Sequence, residues 1–362
     1  MTDCLHFCST PRNVFFSIGQ ACRQPELKHH LVMIDQPYGK DMPIVRAVEY
    51  HKGPFKSVSQ YRKGSGLLGK RRIRQQVFKE LDAMMRKRNV TQVFTGNDRR
   101  IEFQYVMHQL RRRAEHVKAI YLEDGVNSYL PYHPSHRGLR AMADPALEPL
   151  LKRLSYGDWY DRSGAVGCSR WIDTRRLTMP QLLQTTGGPE VEALAPEAYT
   201  SDTAINYLSL LTERMLASNR SCKSDMQAIL QAGFSADLLL VLPHSNDLLS
   251  EYGSAQAFYT QLKSLLESTS SVWVKYHPNE TMPILEQRVQ ELPRSLPMEM
   301  LMSQCHFKRI VGDTSAALLS AKWLHPAAEI ISVNAGKKAN DPLFSLMGQA
   351  RIKLVNAFAE AI

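Results

Sequence analysis

Short apolar runs that stop at polar turn residues, each followed by a stretch with helical spacing, recur along this chain and confine it to an α/β fold with mainly parallel sheets. The plainest is Val117-Lys-Ala-Ile-Tyr-Leu-Glu-Asp-Gly-Val126, a buried-strand pattern that ends in two adjacent carboxylates and a glycine. Before it, Cys4 to Ser9 and His30 to Asp35 read as strands with a helix over Val14 to Arg23 between them. Val77 to Arg88 predicts an amphipathic basic helix with Val77, Leu81, Met84 and Met85 at core spacing. Thr91 to Thr95 is a further short strand, ending in Gly96-Asn97-Asp98, and a helix follows from Glu102 to Arg113. Strands joined through helices imply right-handed crossovers.

The second half repeats the pattern. Ala236 to His244, Ser271 to Pro278, His306 to Val311 and Glu329 to Val333 read as strands, preceded by a long helical region from about Thr203 to Ala232. A breaker-rich stretch from Thr185 to Pro196 lacks periodicity and is the best linker. At 362 residues, two domains are expected, here 1–190 and 191–362. The architecture that follows is two Rossmann-like halves around a cleft. By analogy with such two-domain chains, a helix from about Gln349 is expected to pack back on the first domain.

Charge is unevenly spread. The net charge is +10, yet Lys56 to Lys118 alone holds 17 Lys/Arg against 5 Asp/Glu, an excess of 12, so the remainder sums to −2. Such a patch suits a polyanion or an anionic membrane surface, or it is a well-solvated helix face. The six cysteines (4, 8, 22, 168, 222 and 305) form no CxxC pair and read as free thiols of a reducing compartment. No signal-peptide pattern and no run of spanning length is present, so a cytoplasmic location is expected.

Strand ends facing a crevice are where an open α/β sheet holds its ligands. Glu123 and Asp124 stand at such an end, with Gly125 allowing the sharp turn. They are either helix-capping residues or carboxylates placed for proton transfer. Lys275, His277 and Pro278 end one strand of the second half. Asp313, Thr314 and Ser315 precede a small-residue helix, whose first amides and hydroxyls make an anion site or an ordinary N-cap. Gly64-Ser-Gly-Leu-Leu-Gly-Lys70 has P-loop spacing, but Arg71 occupies the Ser/Thr position and no apolar strand precedes it. There is no Asp-x-Asp metal clamp, and Trp273 and Trp323 read as core residues.

In this order, Glu123-Asp124-Gly125, His277-Pro278 and Thr314-Ser315 resemble the motifs of bacterial sialyltransferases of the GT-B type, closest in spacing to the polysialyltransferase and lipooligosaccharide sialyltransferase groups. Leu296-Pro-Met-Glu299 resembles the segment whose glutamate holds the nucleotide there. The resemblance implies a GT-B fold, with two Rossmann-like domains and mainly parallel sheets facing a central cleft. The first domain would bind the acceptor and carry the base, and the second would bind a CMP-sugar. It implies Asp124 as base with Glu123 supporting, and His277 binding or protonating the leaving phosphate. Lys275, Pro278, Glu299, Thr314, Ser315, Asn13 and Gly125 would surround the donor, no metal or other cofactor being required. Thr10-Pro11-Arg12-Asn13 would touch the donor sugar, and Asn97 and Asp98 the acceptor.

The expected activity is inverting, metal-independent transfer of sialic acid or a related nonulosonic acid to a glycan of capsule or lipooligosaccharide. The basic region would meet an anionic acceptor or the inner membrane. A CMP-Kdo-dependent transferase is the alternative enzyme. A basic nucleic-acid-binding protein is the alternative of another class, but it requires aromatic residues interleaved on the basic face and leaves the second sheet without a role.

Overall fold

The computed structural model describes residues 2–36, 42–62, 67–114, 116–130, 152–162, 164–183, 187–217, 234–280, 285, 289–313, 315–334 and 341–362. The chain forms two compact units, Met1–Tyr199 and Thr200–Ile362.

Seven parallel strands make the sheet of the first unit: β1 (Asp3–Cys8), β2 (Lys28–Gln36), β3 (Phe55–Arg62), β4 (Val90–Thr95), β5 (Lys118–Leu122), β6 (Thr174–Leu177) and β7 (Glu190–Ala193). Their order is β3-β2-β1-β4-β5-β6-β7. Four helices, α1 (Pro11–Arg23), α2 (Pro43–Tyr50), α3 (Leu67–Arg86) and α4 (Ile101–Arg113), make the connections among the first five strands. α1 packs with α2, and α3 packs with α4. β1 is buried along its whole length, as a strand with neighbours on both edges and helices on its faces must be. In α3 the expected Val77, Leu81, Met84 and Met85 are all buried. A polar edge strand, β3, precedes the Gly64–Lys70 stretch, and α3 begins at Leu67, so Leu67-Leu-Gly-Lys70 is helix; residues 63–66 lie outside the described set.

Three strands of this sheet, β3, β6 and β7, are not among those expected from the sequence; β6 is Thr-Arg-Arg-Leu, mostly buried yet with two arginines and no apolar run. β3 carries Lys, Ser, Gln and Arg on a sheet edge, so it lacks an apolar run. β7 lies within the stretch expected to be linker: Glu-Val-Glu-Ala is short and largely exposed, yet it pairs in register with β6 from Thr174↔Glu190 to Leu177↔Ala193. The first unit therefore continues past residue 190. It closes on Tyr199, whose ring stacks on Phe15 at 5.0 Å between centroids. The Tyr199 hydroxyl accepts from Gln20 Nε2 (3.1 Å) and donates to the Phe16 carbonyl (3.2 Å).

The second unit holds six parallel strands, β8 (Ser235–Val241), β9 (Val272–Lys275), β10 (Gln290–Glu291), β11 (His306–Gly312), β12 (Glu329–Val333) and β13 (Lys353–Val355), in the order β10-β9-β8-β11-β12-β13. Its helices are α5 (Asp202–Ala217), α6 (Ser245–Tyr252), α7 (Ala255–Glu267), α8 (Met298–Met302), α9 (Ala316–Leu324) and α10 (Pro342–Gln349). Leu238, Leu240, Phe258, Leu262, Val274 and Ile331 centre its core, and Trp273 and Trp323 are buried as expected. After Gln349 the chain forms β13 and a 3-10 turn instead of a helix. Val355, Phe358 and Ala361 join the core of this same unit, with Phe358 edge-on to Phe258 at 5.7 Å.

Numbered within its own unit, the second sheet has strand order 3-2-1-4-5-6 and the first has the same order with a seventh strand at its end, the doubly wound order with its switch point between first and fourth strands. The switch points are β1/β4 and β8/β11. The fold is thus α/β with two tandem Rossmann-like units of parallel sheet, the GT-B layout.

Candidate functional site

At the carboxyl edge of the first sheet, Thr10 caps α1 in a capping box with Asn13, and Pro11 pre-sets the first helical φ. Asn13 is 1% exposed and makes bonds in both directions. Its Oδ1 accepts from the amides of Ser9 (3.2 Å) and Thr10 (3.3 Å), and its Nδ2 donates to Asp124 Oδ1 at 3.1 Å. Gly96, at the end of β4, is required by this arrangement, since a Cβ there would stand 2.0 Å from Asn13 Nδ2. Asn13 is therefore engaged by its own loop and by Asp124, not turned outward to a sugar.

The two adjacent carboxylates have opposite environments. Glu123 is fully buried and takes four donors: Arg12 Nη2 at 2.5 Å on Oε1, then the Thr178 amide (2.7 Å), Thr178 Oγ1 (2.6 Å) and the Tyr129 hydroxyl on Oε2. It is a structural hub that ties α1, β5 and the end of β6 together. Asp124 is half-buried. Its amide donates to Ser128 Oγ (2.9 Å) and to the Tyr121 hydroxyl (3.1 Å), and Gly125 follows at φ 75, a conformation only glycine adopts without strain. Among the described residues Oδ2 of Asp124 makes no hydrogen bond. Burial raises the Asp124 pKa above the ordinary carboxyl value; the Asn13 bond and the Arg12 and Arg100 charges partly offset this, while Glu123 adds to it. Of the residues expected near an acceptor, Asp98 is wholly buried and accepts from the amides of Gly167 (2.9 Å) and Ser169 (2.8 Å), so it braces a loop. Asn97 accepts from the Arg99 amide at 3.1 Å.

In the second unit, His277 follows β9 and His244 follows β8, their rings edge to face at 5.6 Å. Each Nδ1 accepts a backbone N–H two residues on, from Asn279 and Asn246 respectively, both at 3.2 Å. Nδ1 is thus an acceptor in both, and the proton of the neutral ring sits on Nε2, free to donate. Burial lowers the His277 pKa, helped by His244 and Lys275 and opposed by Asp247 and Glu280. The pair offers two ring N–H donors. Sequence reasoning passed over His244, although Leu242-Pro-His244 ends its strand much as Tyr276-His-Pro278 follows β9.

Ser315 caps α9 with its side chain accepting from the Ala317 amide at 3.2 Å, while Thr314 lies outside the described residues. Pro278 is exposed beside His277. Lys275 is buried, and its Nζ donates to the carbonyls of Arg294 (3.0 Å) and Tyr276 (3.2 Å). Burial pushes its pKa down to about 8, against the pull of Glu291 and Glu299. Its charge is turned onto main chain at the strand end and away from solvent. Glu299, in α8, is also buried and accepts from Ser320 Oγ of α9 at 3.0 Å.

The basic region is only partly a surface. Arg74 is bound to Glu102 (3.0 Å) and Tyr156, Arg111 to Asp173 (2.6 Å), and Arg100 to Asp35. Lys79, Arg86, Lys87, Arg112 and Arg113 are exposed on α3, α4 and the turn after α3. Among the described residues no helix is long and apolar enough to cross a membrane.

No family model matches the chain, and no curated protein matches it significantly. Solved structures similar to it include UDP-GlcNAc 2-epimerase from Methanocaldococcus jannaschii, at TM-score 0.49 and 10% identity, covering 98% of this chain and 89% of that one. Acinetobacter baumannii MurG gives TM-score 0.43 and 12% identity over 98% and 85% of the two chains. The spinosyn rhamnosyltransferase SpnG gives 0.43 and 10% over 92% and 80%. The sialyltransferase resemblance is carried by the motif residues alone.

Proposed function

We propose that the chain is an inverting, metal-independent glycosyltransferase that moves sialic acid or a related nonulosonic acid from CMP to a glycan hydroxyl. The observation that carries this reading is Asp124: a half-buried carboxylate with one oxygen held by Asn13, the other unbonded, and a raised pKa at a strand's carboxyl end. A base poised nearer neutrality than an ordinary carboxylate suits proton abstraction from a hydroxyl. Asp124 takes the acceptor proton as the oxygen attacks the anomeric carbon. The bond from that carbon to the phosphate oxygen breaks, and its electron pair leaves with CMP. His277 and His244 donate through Nε2 to the phosphate as charge grows on it, and the first amides of α9 add to this. Glu123 holds the turn beneath Asp124 and does not itself exchange protons with substrate.

The exposed cations of α3 and α4 support a reading in which the acceptor is anionic, or is presented by an anionic leaflet on the cytoplasmic face of a membrane. A thermal shift series with CMP, UDP, ADP and an oligonucleotide, with and without a chelator, tests the reading. Stabilisation by CMP that survives the chelator supports it. Stabilisation by UDP alone, or by the oligonucleotide alone, overturns it. Product analysis with CMP-sialic acid and CMP-Kdo then identifies the donor.

A further inference from the structure

Residues 152–160 form a short helix, 152–156, and a turn that lie against α3 and α4. Tyr156 roots this strap: its hydroxyl accepts from Arg74 Nη1 at 2.6 Å, and its ring stands edge-on to Phe78 at 6.4 Å. Trp159 packs edge-on to Phe78 (6.3 Å) and Tyr105 (5.8 Å) and stacks on His108 at 6.0 Å. Phe78 and Tyr105 stack on each other at 4.0 Å and so join α3 to α4. The basic region therefore does carry aromatic rings. They are half-buried against one another, not spread along the surface as separate platforms for bases.

Helical residues two apart point to nearly opposite sides. With Tyr156 turned onto α3, Leu154 is turned away from it, and it is 77% exposed. Arg153 is exposed next to it. On α3, helical spacing puts Lys79 and Arg86 on the side opposite the buried Leu81 and Met85, and Lys87 is exposed just beyond. Arg112 and Arg113 are exposed at the end of α4. The exposed acids of these elements are Glu80 and Asp158. Leu154 and the cations thus share the face that looks away from the sheet. A soluble polyanion needs only the cations and gains nothing from an outward leucine. A bilayer takes both, the leucine entering the acyl boundary while the cations stay with headgroup phosphates. We propose that this face docks on an anionic leaflet, with Leu154 as the side chain that inserts and the aromatic cluster as its rigid base. The inference names a partner for the proposed transfer and rests on that reading for its purpose, though no donor is needed for docking.

Co-sedimentation of the full chain with vesicles of phosphatidylglycerol and phosphatidylethanolamine tests this, with phosphatidylcholine vesicles as the neutral control and dextran sulfate as a soluble polyanion. The chain is expected to sediment with the anionic vesicles only, and to be released as salt rises from about 0.1 to 0.5 M. Leu154→Ser should lower vesicle partition about tenfold and leave dextran sulfate binding near wild type. Arg86→Gln/Lys87→Gln should weaken both. All three positions are exposed, so thermal melts should match wild type. Absence of sedimentation with anionic vesicles overturns the inference. Sedimentation that Leu154→Ser leaves unchanged also overturns it and assigns the face to a soluble polyanion. A chain that docks on vesicles through Leu154 yet ignores CMP supports this inference and overturns the transferase reading separately.

Discussion

Replacing Glu123 by glutamine should unfold the first unit's site from within, whereas the same change at Asp124 should barely affect stability. Every donor on Glu123 meets a carboxylate oxygen: Arg12 on one side, and the Thr178 amide, Thr178 hydroxyl and Tyr129 hydroxyl on the other. A glutamine must turn its NH2 to one side or the other, and on either side a donor then faces a donor. It also leaves Arg12, whose side chain is 11% exposed, without its carboxylate. Breaking a buried ion pair from one end costs about 3–5 kcal/mol. The residual exposure of Arg12 and the adjacent Asp124 charge place this case at the low end, about 3 kcal/mol, or roughly a hundredfold in the folded-to-unfolded ratio. For a unit of this size that is a Tm loss of roughly 6–12 °C. Asp124→Asn removes a charge whose ionised form burial already disfavours, and should cost under about 1 kcal/mol. Parallel thermal melts and urea titrations measure both. Equal losses for the two variants, or a negligible one for Glu123→Gln, would refute the division of labour between these neighbours.

Further outcomes follow from the same geometry. Asp124→Asn should lower turnover by about 10²–10⁴-fold with CMP stabilisation intact, read by product formation beside thermal shift. His277→Ala should weaken CMP binding by about tenfold or more, since hydrogen bonds to charged groups contribute about 1.5–3 kcal/mol; calorimetry decides this. Gly96→Ala drives a methyl into Asn13 and should depress activity more than stability, so a large Tm loss with normal turnover would contradict it. Acid should destabilise the first unit through His6 and His29, linked by a 2.9 Å bond inside the sheet and both held neutral by burial. Their folded pKa values lie below the unfolded value of about 6.5, so their full contribution is present above that pH and is lost as pH falls below it. His6→Phe, which keeps the stacking on Phe94 at 4.5 Å, should flatten the fall in Tm between about pH 7 and 5.

Most interior strands announced themselves as apolar runs, and two of those ends delivered Asp124 and His277; β6, Thr-Arg-Arg-Leu between β5 and β7, is the exception. Edge strands did not: β3, β7 and β13 have one neighbour each and keep polar residues, which periodicity reads as linker or helix. The carboxylate pair was visible as a pair, but its split into hub and base depends on Tyr129 and Thr178, reached only by folding. Arg100 was one cation among many in a basic stretch; its partner Asp35 is 65 residues away and carries no sequence signal. Lys275 shows the opposite error: the right place at a strand end, but a side chain turned onto carbonyls.

Tyr199 has a consequence for the order in which this protein is made. Its bonds to Gln20 and Phe16 span 179 and 183 residues, and its ring covers Phe15 on the helix whose first turn holds Arg12 and Asn13. At about 5–20 residues per second, roughly 10–40 s separate the synthesis of α1 from that of the side chain that seals it. During that interval the aromatic face of α1 stands open on the ribosome. A chain ending at residue 190 would lack that seal permanently, so a fragment of the first unit should extend at least to Tyr199.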